Sequence, residues 1–165
     1  MRRVVATTVL NVRVQAVGGF WLVALLAGLV VGAALVTLAS DTARWLPVVV
    51  LAELVVTSFY FSAVQVLRER NDGTLPARAL SPLGPGEYLA ALVVSLTLLG
   101  LAEISLLVLL VHGPRVLWPA LAAGVALTSC LYALYGVITV AGYRSMDTFL
   151  LPSGLWTIVL GVPIL

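Results

Sequence analysis

The sequence predicts an all-α bundle of helices that cross a membrane, and three features carry that reading. Hydrophobic residues make up 62% of the chain against 10% charged, and the mean hydropathy is +1.15. The apolar residues are gathered into long runs, each close to or beyond the roughly 20 residues that cross a hydrocarbon core of about 30 Å at about 1.5 Å rise per residue. Those runs also lack the apolar-polar alternation over about 10 residues that marks a membrane β-barrel strand.

In chain order, residues 1–16 come first. Arg2 and Arg3 resemble the basic start of a secretory signal, but Val4 to Leu10 is too short an apolar core, and Asn11, Arg13 and Gln15 interrupt it. An amphipathic helix lying in the headgroup layer fits better, with Val5, Val9, Val12 and Ala16 on one side and Arg2, Arg13 and Gln15 elsewhere. A transmembrane domain over residues 17–165 follows. Its first span, 17–39, carries no charge; the second, 45–67, carries only Glu53; the third, 88–111, carries only Glu103; the fourth, 116–143, carries none. A fifth apolar run, 149–165, continues to the last residue. The connections at 40–44 and 112–115 are short, which makes consecutive spans antiparallel neighbours.

Arginine placement sets the orientation, because Arg and Lys near span ends are retained in the cytoplasm. With the N-terminus inside, Arg2, Arg3, Arg13, Arg68, Arg70, Arg78 and Arg144 are cytoplasmic, and only Arg44 and Arg115 lie outside. The polar segment 68–87 is then a cytoplasmic loop.

Several chemistries are excluded or unsupported. All 9 basic residues are arginine, so no GxxxxGK[ST] phosphate loop and no lysine Schiff base can form. ATP, if used, is hydrolysed on another chain, and neither a cofactor nor a metal is expected on this one. The single cysteine, Cys130, permits no intrachain disulfide, and the single histidine, His112, has no partner at ligand spacing. No HExxH, paired nucleophile and base, or nucleic-acid-binding pattern is present, so the chain does not read as an enzyme.

Glu53 and Glu103 are the two ionisable residues at membrane depth, where an unpartnered charge costs several kcal/mol. Each lies roughly 10 to 12 Å from the outer end of its span at about 1.5 Å per residue. At one level, the two carboxyls can share a proton or draw a cationic substrate inward; alternatively, each is held by hydroxyls such as Thr57 or Ser105 and serves packing. Ala24, Gly28 and Gly32 recur every four residues on one face, a small-residue stripe that suits helix packing within the bundle or a dimer seam.

The loop reads Arg68-Glu69-Arg70-Asn71-Asp72-Gly73-Thr74-Leu75, then Leu80-Ser81-Pro82-Leu83, then Glu87-Tyr88-Leu89. With the Leu10-Asn11-Val12-Arg13-Val14-Gln15 stretch before the first span, this order resembles the membrane subunit of ABC type-2 exporters, in particular the permeases similar to fluoroquinolone and other drug exporters. The resemblance extends over essentially the whole chain and implies a coupling helix in the loop that docks on a cytoplasmic ABC ATPase subunit carrying ATP and Mg. Arg68, Glu69, Arg70, Asp72, Gly73, Thr74, Leu75 and Arg78 are the matching positions. The residue chemistry agrees: Thr74 can cap a helix whose first turn tolerates Pro76, with Leu75 and Ala79 on one face. The resemblance also implies a second permease subunit, identical or different, export of a hydrophobic or drug-like substrate, and a bacterial plasma membrane location. Such permeases usually have six spans, so this sequence reads as C-terminally truncated. The competing expectation is a nontransporting anchoring or assembly subunit, or an inactive fragment.

Overall fold

The computed structural model describes residues 2–39, 41–74 and 83–161. Every regular element among them is helical: α1 (Arg2–Val17), α2 (Phe20–Leu38), α3 (Thr42–Leu54), a π-helical turn (Val55–Tyr60), α4 (Phe61–Asn71), α5 (Pro85–His112), α6 (Trp118–Val140) and α7 (Met146–Gly161). The element boundaries follow local chemistry. Gly19 joins α1 to α2 at φ 80°, a left-handed conformation that glycine adopts without penalty. The Asp41 side chain accepts from the Arg44 N–H and starts α3. At the other end of that span, Gly73 at φ 69° closes α4 by donating to the Arg70 carbonyl. Pro85 stands in the first turn of α5, where the Glu87 carboxylate accepts from the Gly84 N–H at 3.1 Å.

Four helical stretches are long and apolar enough to cross a membrane: Phe20–Leu38, Thr42–Asn71, Pro85–His112 and Trp118–Val140. The fifth apolar run forms α7, which has 16 residues within the described chain. The second span is a single rod of 30 residues in which α3, the π-helical turn and α4 run on without a break.

That rod and α5 make the centre of the bundle. Helices α1, α2 and α6 all pack on α5, and α6 also lies along the π-helical turn and α4. One core cluster sits toward the loop end, where Phe59, Ala63, Leu67, Leu92, Leu96, Leu99, Ala133 and Phe149 are each fully enclosed. A second cluster, Leu54, Ile104, Leu107, Val108 and Val125, fills the opposite end. Leu22, Leu26 and Val30 on α2 and Leu127, Leu131 and Ile138 on α6 face outward, as residues meant for lipid do.

The small-residue stripe belongs to the interior. Ala24, Gly28 and Gly32 are buried; a Cβ added to Gly28 would lie 3.2 Å from Glu103 Cγ, and one on Gly32 would lie 3.4 Å from Leu110 Cδ1. Of the two expectations for that stripe, packing within the bundle is the one the structure realises. Gly136 on α6 makes a still closer approach, since a Cβ there would overlap Ser62 Oγ and the Phe59 carbonyl.

Helix α1 meets the bundle through polar residues. Asn11 and Gln15 are fully buried, while Val5, Val9 and Leu10 are exposed. The amphipathic expectation set Gln15 outside the apolar face. It is instead the residue that anchors α1, because amide groups find partners on neighbouring helices that valines do not need.

Candidate functional site

Two buried polar regions lie along the second span. The first is at mid-span. Glu53 ends α3, Thr57 and Ser58 belong to the π-helical turn, and all three are buried. A π-turn places one more residue in a helical turn than an α-helix does, and such turns concentrate at functional sites. Here Thr57 and Ser58, adjacent in sequence, are both turned inward.

Glu103 reaches this point from α5 and is 1% exposed. The Thr57 hydroxyl donates to Glu103 Oε2 and also lies 3.0 Å from the Glu53 backbone carbonyl. The sequence placed the two acids at one depth without fixing their faces; the structure buries both, with Thr57 as the hydroxyl partner of Glu103. Ser129 of α6 closes the cluster: a Cβ on Gly100 would come 3.1 Å from Ser129 Oγ and 3.9 Å from Ser58 Oγ. Glu103 Oε1, Ser58 Oγ and Ser129 Oγ are buried and have no hydrogen-bond partner.

The second region lies at the loop end of the same rod. Gln15 Nε2 donates to Gln65 Oε1 at 3.0 Å and to Ser95 Oγ at 2.9 Å, tying α1 to α4 and α5. Gln65 Nε2 in turn donates to Glu69 Oε1 at 3.3 Å, and the Tyr88 hydroxyl donates to Glu69 Oε2 at 2.9 Å. Arg70 donates to the Tyr143 carbonyl in the connection between α6 and α7. One turn before Gln15, both polar atoms of the Asn11 amide are enclosed without a partner.

The residues matched to a coupling loop fall into three groups. Glu69, at 7% exposure, is turned inward and holds the base of the loop to α5, so it does not present a charge to solvent. Arg68 and Asp72 are exposed and pair at 3.7 Å, a contact of the kind worth at most about 1 kcal/mol. Gly73 terminates α4, and the Thr74 hydroxyl donates back to the Glu69 carbonyl at 2.9 Å, fastening the chain to the helix it has just left. Leu75 and Arg78 lie outside the described residues.

Ser58, Gln65, Ser95 and Ser129, together with the inward placement of Gln15 and Glu69, went unread in the sequence. One signal was available. Apart from Tyr60 and Arg68, the polar and charged residues from 53 to 69 are Glu53, Thr57, Ser58, Ser62, Gln65 and Glu69, and each after Glu53 follows a lower one by three to five positions. That spacing lays a stripe along one face of a helix. Ser129, next to Thr128 and with no charged, amide or aliphatic hydroxyl side chain three or four residues away, offers no such signal.

The arrangement is two clusters of buried polar groups inside an apolar bundle. The family model described as the Fluoroquinolones export permease protein family matches residues 2–165. The chain belongs to this family. No curated protein and no solved structure matches it. As a member, this export permease is an integral multi-pass membrane protein and a transport component rather than an enzyme.

Proposed function

We propose that this permease is the membrane subunit of an ABC type-2 exporter that moves a hydrophobic or drug-like substrate outward across a bacterial plasma membrane, driven by ATP on a separate cytoplasmic ABC ATPase subunit. A second permease subunit completes the assembly, and the N-terminus lies in the cytoplasm with α1 along the headgroup layer. The absence of lysine supports the external ATPase, since a phosphate-binding loop cannot be built from this composition.

The observation that carries the reading is how the loop is rooted. The start of segment 68–87 is fixed by Thr74 to the Glu69 carbonyl, by Glu69 to Tyr88 of α5, and by Arg70 to Tyr143 beyond α6. A push on the loop is therefore delivered to three helices at once, and through the continuous second span to Glu53. Arg68, Asp72, Gly73, Thr74, Leu75 and Arg78 are the residues of the contact, with Glu69 and Arg70 holding it in place. ATP-driven closure of the partner shifts the bundle between inward- and outward-facing states because the loop makes different contacts in the two. Glu53 and Glu103 line the substrate pathway.

Changing Thr74 and Leu75 to aspartate tests the coupling. The expected result is an assembly that inserts normally and hydrolyses ATP without exporting substrate. Export at the wild-type rate, or labelling of residues 68–87 from outside intact cells, overturns it.

A further inference from the structure

We propose that a groove at the loop end of α6 binds an anionic phospholipid, which lays an acyl chain along the helix and brings its headgroup phosphate to Arg144 and Arg70. The inference needs only that the chain spans a membrane, and it is independent of the ATPase partnership and of what is exported.

The groove is built on one face of α6 and the connection that follows it. Tyr135, Ile138, Thr139, Gly142 and Tyr143 line an open hollow of about 590 Å³. They recur three and four residues apart, which gathers them on a single side of the last helical turns. The Thr139 hydroxyl is already bonded to the Tyr135 and Gly136 carbonyls at 2.9 and 3.0 Å, so that side chain adds no free donor. Gly142 keeps the hollow open, since a Cβ added there would meet nothing within 4 Å.

An acyl chain has a route into it. Leu127, Leu131 and Ile138 are 69%, 67% and 70% exposed and stand four and seven residues apart, on one line of α6. In a membrane that line is covered by hydrocarbon. Ile138 belongs both to the line and to the groove, so a chain that follows the one arrives in the other, with its polar end at residues 142–144. Tyr135 and Tyr143 suit that depth, because their rings carry an apolar body and a polar tip.

Charge selects the headgroup. Arg70 of α4 donates to the Tyr143 carbonyl, and the next residue, Arg144, is exposed. Neither arginine pairs with a carboxylate among the described residues. The acids near Arg70 are engaged elsewhere, Asp72 with Arg68 and Glu69 with Gln65 and Tyr88. Asp147, exposed in the first turn of α7, does not line the groove. Two guanidinium groups at Tyr143, beside an apolar hollow, match a phosphate that carries acyl chains; arginine forks suit phosphate oxygens, and a free phosphate gains nothing from the apolar face. Because Arg70 ties α4 to the connection beyond α6, the bound lipid braces the root of segment 68–87.

The test uses the purified full chain, delipidated in an uncharged detergent, with native mass spectrometry reading the phospholipid bound. The expected result is about one phosphatidylglycerol per chain, held about tenfold more tightly than phosphatidylcholine with the same acyl chains and less tightly as salt is raised. Arg144→Gln is expected to cut that preference to about threefold, leaving the share of Arg70. Gly142→Leu enters open space at a backbone position without positive φ, and is expected to weaken both lipids about tenfold while unfolding at the wild-type temperature. Equal affinity of the wild type for the two lipids overturns the proposal, as does binding that Gly142→Leu leaves unchanged. Displacement of phosphatidylglycerol by millimolar inorganic phosphate also overturns it, since the site would then read phosphate without the lipid. A dimer that binds no lipid and that Gly142→Leu dissociates assigns the groove to a second copy of the chain and overturns it too. Should Gly142→Leu unfold, Arg144→Gln decides alone, because it changes an exposed side chain: an undiminished preference sinks the assignment.

Discussion

The two polar regions of the second span are built from similar groups and differ in how their buried carboxylate is paired. Around Glu69, both carboxylate oxygens, the Gln65 amide N–H and the Tyr88 hydroxyl are engaged in bonds that join three helices. Around Glu103, one carboxylate oxygen and two serine hydroxyls are enclosed with nothing to bond. The unpaired atoms of the loop-end region, Gln15 Oε1 and the Asn11 amide, lie on α1, so its acid is held in one arrangement, whereas the enclosed unpaired oxygens around Glu103 leave free energy available to a second arrangement or a ligand. The loop end of the rod is thus a joint that transmits force, and the middle is the part able to change state.

Substitutions that break or sharpen this contrast can be ranked, each read from thermal or denaturant unfolding of the detergent-solubilised protein. The largest effect is expected at the seam between the regions. Gly136→Val would drive a side chain into Ser62 Oγ and the Phe59 carbonyl, backbone that cannot yield, costing about 3 kcal/mol or more. A well-folded Gly136→Val protein would mean that α6 is not locked to the π-helical turn.

Next comes Glu69→Ala, which strands the Tyr88 hydroxyl and the Gln65 amide and is expected to cost about 3 kcal/mol. A loss well under 1 kcal/mol would remove the claim that the loop end is a rigid joint. Gln15→Leu should cost about 1 kcal/mol, because it deletes two bonds but also removes the unpartnered Gln15 Oε1. Releasing α1 should also make residues 2–17 more sensitive to protease.

Ser129→Ala provides the sharpest contrast. It removes an enclosed hydroxyl that bonds to nothing, so stability should stay within about 0.5 kcal/mol or rise. A loss of about 2 kcal/mol there would show that the mid-span cluster is as fully bonded as the loop end. The smallest effect is expected from Arg68→Ala, whose half-exposed pairing with Asp72 should be worth at most about 0.5 kcal/mol.

Much of the helical architecture was legible because hydropathy acts over long windows. The runs beginning near Phe20, Trp45, Tyr88 and Trp118 needed no fine periodicity to be read as helices. The burial of Glu53 and Glu103 was half legible: depth follows from counting residues, but facing does not. The π-helical turn was not read, because Thr57 and Ser58 fall four and five residues after Glu53, a spacing that an α-helix with a broad polar face would also show. Residues Gln15 and Glu69 were misjudged for a related reason. Polarity was read as exposure, yet in a bundle surrounded by lipid the interior is where amides and carboxylates find partners. The loop motif pointed to a contact surface at Glu69 and Thr74, whereas the structure uses both to brace the loop from within.

The turn at Val55–Tyr60 bears on how the rod can move. A helix holding one surplus residue can pass that surplus to the next turn, and the residues it passes rotate by about 100°, the angle a single residue subtends, while the helix on either side keeps its facing. Thr57 and Ser58 sit inside this turn, so theirs are the hydroxyls whose direction such a step resets. The middle of the span can thus change what it presents to Glu103 while the helix stays whole.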